Sequence, residues 1–122
     1  MIVGLFPELL STGGVQRVGR HTAAVLAAYA GDCGTSARFL SLNDPPGLHR
    51  FRVAEEDFVV SGFGRMKMRF SIAALRAARS HPTLVLAAHP NLAPLASAMR
   101  MLAPRAHIIV LSHGIEVWHR LG

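Results

Sequence analysis

Cysteine, lysine, tyrosine and tryptophan each occur once among the 122 residues. The lone Cys33 excludes an intrachain disulfide framework and a cysteine-built zinc site, and it suits a reducing compartment. The histidines offer no substitute metal site. H-E-x-x-H is absent, and His113 and His119 lie six apart rather than the three or four that one helical face requires. Long apolar runs are missing too. The longest stretch without Lys, Arg, Asp or Glu, residues 80–99, contains Pro82, Pro90 and Pro94, which suit no membrane-spanning helix. Met1 leads directly into an apolar run with no basic segment before it, so no secretory leader is expected. Three motifs are also absent: the dinucleotide fingerprint G-x-G-x-x-G, the nucleophile elbow G-x-S-x-G and a true P-loop. "GVQRVGRH", Gly14 to His21, imitates the last of these. It places Arg20 and His21 where Lys and a hydroxyl belong, and the apolar repeat of a helix already begins at Val15.

What is present is a core-forming composition, 51% apolar, with a net charge of +6. Twelve of the thirteen basic residues are arginine, a bias that suits planar phosphate and carboxylate recognition and that a GC-rich gene also produces. The basic residues form no long run and do not interleave with aromatics, so a nucleic-acid partner is not expected.

The apolar pattern alternates strand and helix. Strands are predicted at Ile2–Phe6, Ser36–Leu42, Phe58–Gly62, Thr83–His89 and Ala106–His113. Helices are predicted from Gly14 to about Gly31, from Arg65 to Ser80 and from Asn91 to Leu102, with Asn91 as N-cap and Pro94 in the first turn. In the first helix Val15, Val18, Thr22, Val25, Leu26 and Tyr29 mark the expected apolar face. Met66, Phe70, Ala73, Ala74 and Ala77, widened by Met68, Ile72 and Leu75, mark it in the second. "NDPPG", Asn43 to Gly47, is turn chemistry, and Leu48 to Asp57 reads as a loop. The expected fold is α/β: a Rossmann-like, doubly wound parallel sheet in three α/β/α layers, forming one domain over residues 1–122.

Ligands of such sheets bind outside the carboxyl ends of the strands. Ser11, Thr12, Gly13, Gly14 and Gln16 follow the first strand. His89, Pro90 and Asn91 follow the fourth, and Ser112, His113, Gly114 and Glu116 follow the fifth. Gly13 and Gly14 let the backbone approach a phosphate at a helix N-terminus, or simply make a tight turn. His113 is placed to donate to a substrate hydroxyl or carbonyl, or to cap a turn. His89 has the same choice, Glu116 either binds a sugar hydroxyl or caps a helix, and Trp118 stacks on a ring or anchors the core. Arg65, Lys67, Arg69, Arg76 and Arg79 give the second helix either a solvated face or a dock for anionic lipid heads.

"FPELLSTGGVQRVGRHTAAVLAAYA", "LVLAAHPNLAPLA" and "IIVLSHGIEVW" together resemble the amino-terminal domain of family 4 glycosyltransferases of the GT-B fold. The resemblance implies a retaining transferase that moves a sugar from a nucleotide sugar to a sugar or lipid-linked acceptor without a cofactor or required metal. It implies that Gly13 and Gly14 approach the donor diphosphate and that His113 lines the cleft as the catalytic residue. Gln16 (where many members carry Glu), His89, Asn91 and Glu116, from their places at the same sheet edge, are expected to serve the acceptor. The family's carboxyl-terminal donor domain has no counterpart here, so the chain reads as an incomplete first half, inactive alone. The rival reading is a small stand-alone flavodoxin-like binding or regulatory module. A cytoplasmic location is expected, peripheral to the inner membrane face through an anionic-lipid contact. Pairing of chains through an exposed sheet edge is a further expectation.

Overall fold

The computed structural model describes residues 1–10 and 13–111. Ser11, Thr12 and the segment 112–122, which carries Ser112, His113, Gly114, Glu116 and Trp118, lie outside the described residues. Six strands form one sheet: β1 (Ile2–Phe6), β2 (Ala37–Ser41), β3 (Gly47–Val53), β4 (Glu56–Gly62), β5 (Leu84–Ala87) and β6 (His107–Val110). Three α-helices accompany them: α1 (Gly14–Asp32), α2 (Lys67–Ala78) and α3 (Ala93–Leu102), the last entered through a 3-10 turn at Pro90–Leu92. The strand order is β3-β4-β2-β1-β5-β6, and every pairing is parallel except β3 with β4. Omitting antiparallel β3, the parallel strands run 3-2-1-4-5 in chain order. That is the Rossmann sequence of strands and not the 2-1-3-4-5 of a flavodoxin.

The sheet corrects the sequence reading at one edge. Leu48 to Asp57 is no loop: it supplies β3 and the start of β4, joined by a tight hairpin. Its two turn residues, Ala54 and Glu55, have φ of 51° and 66°, the left-handed pair of a type I′ turn. Asn-Gly is the usual signal for that turn, and Ala-Glu hides it.

β1 is buried at all five positions because strands flank it on both sides and helices cover both faces. On one face α1 packs over Ile2, Phe6, Phe39, Phe58 and Val60. Edge-to-face ring contacts link Phe6 to Phe39 and Phe39 to Phe58, each worth roughly 0.5–1.5 kcal/mol beyond the area buried. On the other face α2 and α3 cover Val3, Leu5, Leu40, Val85 and Ala87.

The first helix buries a different face from the expected one. Ala23, Ala24, Leu26 and Ala30 are inside, whereas Val18 and Val25 are 55% and 66% exposed and Tyr29 is exposed with them. Small residues win because the helix lies close to the sheet. A Cβ placed on Gly19 would stand 2.8 Å from Leu9 Cδ2, which accounts for a glycine in mid-helix. The second helix shows the same narrowing. Phe70, Ala74, Ala77 and Ala78 are buried, while Met66, Met68 and Ile72 face outward.

Helix cover is diagonal among the described residues. α1 lies over β1, β2, β3 and β4, leaving Leu86 and Ile109 on its side of β5–β6 beside an apolar groove. α2 and α3 lie over β2, β5 and β6, leaving the other side of β3–β4 open. One corner of the sheet is therefore apolar and the diagonally opposite one is polar.

Candidate functional site

The chain leaves β1 toward β2 on one side and later crosses to β5 on the other. This makes the gap between β1 and β5 a topological switch point, where crevices open in sheets of this kind. A cleft of about 800 Å³ lies there. Pro7 follows β1, Leu42 and Asn43 follow β2, and His89, Asn91, Leu92, Pro94 and Leu95 follow β5. The first turns of α2 add Lys67, Phe70 and Ser71. The apolar side chains form a wall, and the amide, hydroxyl, imidazole and ammonium groups can orient a polar ligand.

His89 is a structural element as well as a lining group. Its Nδ1 accepts a hydrogen bond from the Asn91 backbone N–H at 3.0 Å, so His89, and not Asn91, caps the turn into α3. Pro94 sits in the first turn of α3 as expected.

Gly13, Gly14 and Gln16 occupy the same sheet edge but do not line this cleft. Gly13 is the N-cap of α1, with φ 156°, and a Cβ there would meet Gln16 Oε1 at 2.5 Å. Gly14 has open space where its Cβ would be. No acidic residue lies in the first turn of α1 and, among the described residues, no side chain caps it, so the positive end of the helix dipole faces the edge where Glu8 meets Gln16. Gln16 Nε2 donates to Glu8 at 3.2 Å. Arg20 donates to the Leu9 carbonyl from within an unbroken helix. The P-loop look-alike is thus helical from its first residue.

A buried carboxylate holds this edge together. Asp44, 1% exposed, accepts from the Leu9 and Leu10 backbone N–H groups at 2.8 and 3.0 Å and from the Ser41 hydroxyl. It ties the loop after β2 to the approach of the glycine pair. Gly64 N–H donates to the Asp44 carbonyl at 2.7 Å, adding the loop after β4. Glu8, Asn43, Asp44 and Ser71 escaped the sequence reading. Only Asn43 and Asp44 carried a signal, since they follow β2 at the carboxyl edge.

No family model, curated protein or solved structure matches this chain. The chemistry of the site therefore rests on its own geometry.

Among the described residues no group of three His, Cys, Asp or Glu side chains is placed to hold a metal. No helix among them is long and apolar enough to cross a membrane. At the opposite end of α1 from the glycine pair, a hydrogen bond with Cys33 raises the Tyr29 pKa above its usual value. Cys33 itself is free and exposed.

Proposed function

We propose that the chain is the acceptor-side, amino-terminal part of a retaining glycosyltransferase that uses a nucleotide-sugar donor. The observation that supports this most is the cleft at the switch point, with His89, Asn91, Asn43, Ser71 and Lys67 spaced along an apolar wall. Hydroxyl-rich acceptors need such a mixture. Amide, hydroxyl and imidazole groups bond to sugar hydroxyls, and apolar walls carry the ring face or an attached lipid.

In this reading the donor diphosphate approaches Gly13 and Gly14, where helix N–H groups and the helix dipole offset its charge without a metal. His89 and Asn91 orient the acceptor in the cleft, and Gln16 and Glu116 serve the part of it that extends beyond the cleft. His113 lines the cleft near the transferred sugar and donates to one of its hydroxyls, holding the ring in place for transfer. A second domain supplies the opposing wall that excludes water and sets the reacting atoms in line. The protein works on the cytoplasmic side of a membrane, or in the cytoplasm with a soluble acceptor.

The test is a panel of nucleotide sugars assayed on the full-length protein, followed by His113→Ala. The expected result is turnover of one donor, lost by a factor of about 100 or more in the variant, the cost of misplacing a reacting group. Full turnover in the variant removes His113 from the mechanism. No hydrolysis or transfer with any donor removes the reading itself.

A further inference from the structure

The open side of β3–β4 is an arginine surface. On β3, His49, Phe51 and Val53 turn toward the α1 side, and Leu48, Arg50 and Arg52 alternate with them to the other. On β4, Phe58 and Val60 turn inward, leaving Asp57, Val59 and Ser61 on that same outer face. Register then builds rows across the strands. Arg50 stands opposite Val59, Leu48 opposite Ser61, and Leu40 of β2 on the other flank of Ser61. One step back along the β2–β4 register sets Arg38 beside Val59, so two arginines bracket a valine.

The neighbouring helix continues the pattern. Arg69, Ile72 and Arg76 of α2 are spaced three and four apart, which is one helical face. They border a groove of about 510 Å³ together with Arg38 and Ser61. The whole face carries five arginines against one aspartate. That aspartate, Asp57, is already engaged by Arg52 at 3.0 Å. No ion pair among the described residues involves Arg38, Arg50, Arg69 or Arg76.

The residues between the arginines identify the partner. Leu48, Val59 and Ile72 are 74%, 43% and 46% exposed, and all three are aliphatic. A surface of this charge that binds single-stranded nucleic acid uses exposed rings for stacking. Here Phe51 points to the other side of the sheet, and Phe63 at the groove packs its ring on Phe70 at 5.6 Å. Guanidinium groups interleaved with aliphatic side chains match a bilayer interface, where phosphates meet the first methylenes.

We propose that this face, Arg38, Arg50, Arg69 and Arg76 around Leu48, Val59 and Ile72, docks the protein on an anionic lipid surface. The docking stands apart from the sugar-transfer reading, since none of its residues lines the cleft.

The experiment is flotation of the full chain with vesicles of phosphatidylcholine alone, and of phosphatidylcholine mixed with phosphatidylglycerol. Binding is expected to the mixed vesicles only. Each arginine removed should weaken it about fivefold, so Arg38→Gln with Arg50→Gln should weaken it about 25-fold. Arg69→Gln with Arg76→Gln, a pair on the helix alone, should give the same loss and does not touch the sheet. Arg100→Gln with Arg105→Gln removes equal charge elsewhere and should leave binding within about twofold, with circular dichroism checking each fold. Equal loss in all three pairs overturns the proposal. So does binding to neutral vesicles, or release from mixed vesicles by single-stranded RNA at equal phosphate.

Discussion

The Asp44 carboxylate, nearly inaccessible to solvent, holds the Leu9 backbone N–H at 2.8 Å across 35 residues of chain. Together with the Leu10 N–H and the Ser41 hydroxyl it satisfies three donors at the edge where the cleft and the glycine pair lie. Asp44→Ala leaves all three without that acceptor. An unfolding free-energy loss of about 3 kcal/mol or more is expected, since each buried orphan costs about 1–3 kcal/mol. Asp44→Asn keeps one carbonyl acceptor and should lose less. Urea denaturation of both variants measures the order, and equal losses would refute the clamp.

The β3–β4 hairpin carries a removable strain. Ala54 and Glu55 both hold positive φ, a conformation costing about 1–2 kcal/mol for a residue with a Cβ. Ala54→Asn with Glu55→Gly is the preferred pair for this turn. The double variant should gain about 1 kcal/mol or more in stability, read as a higher thermal midpoint. A drop would mean that the turn is not type I′.

Two glycines of one helix should respond in opposite ways. At Gly31 nothing lies within 4 Å of an added Cβ, so Gly31→Ala should stabilise by up to about 1 kcal/mol. At Gly19 the added methyl meets the buried Leu9 side chain at 2.8 Å. Gly19→Ala should therefore lose the propensity gain and destabilise by about 1–3 kcal/mol, the range for overpacking. Chemical denaturation of the pair, with matching signs, would contradict the close approach of α1 to the β1 loop.

Gly13 and Gly14 separate folding from binding. Gly14→Ala has room and ordinary geometry, so its melting temperature should stay within a degree or two of the parent's. If a donor diphosphate approaches there, the methyl stands in its path, and affinity for the nucleotide sugar should fall at least tenfold by calorimetry. Gly13→Ala instead meets Gln16 Oε1 and should disturb the loop with or without ligand. Unchanged donor affinity in Gly14→Ala would leave the glycine pair a turn and nothing more.

The parallel core was readable because β1, β2, β4 and β5 are short apolar runs separated by helix-length segments with clear stops. His81, held at φ 54° just after α2, is one such stop and precedes a proline as expected. β3 was not readable, since half its residues face solvent and its turn lacks glycine and asparagine. The buried side of α1 is hidden in the sequence for a different reason. Hydrophobic size suggested Val18 and Val25, but a helix pressed against a sheet selects small side chains, and alanine is a weak signal in so alanine-rich a chain. Of the site, His89 and Asn91 lie at the edge the sequence points to, with His89 in the turn-capping role that was one of its two alternatives and Asn91 not the N-cap. Asp44 was hidden because nothing in a turn sequence announces that its carboxylate will reach a loop 35 residues earlier.

β1 has a consequence for biosynthesis. Its five apolar residues are synthesised well before one of their two partner strands, Leu84–Ala87. At ribosomal elongation rates of about 5–20 residues per second, that partner follows roughly 4–16 s later. Throughout the interval "IVGLF" has β2 on one edge at most and an open row of backbone groups on the other. A nascent-chain chaperone has a persistent target in β1, and slowed elongation between residues 42 and 84 would prolong that exposure.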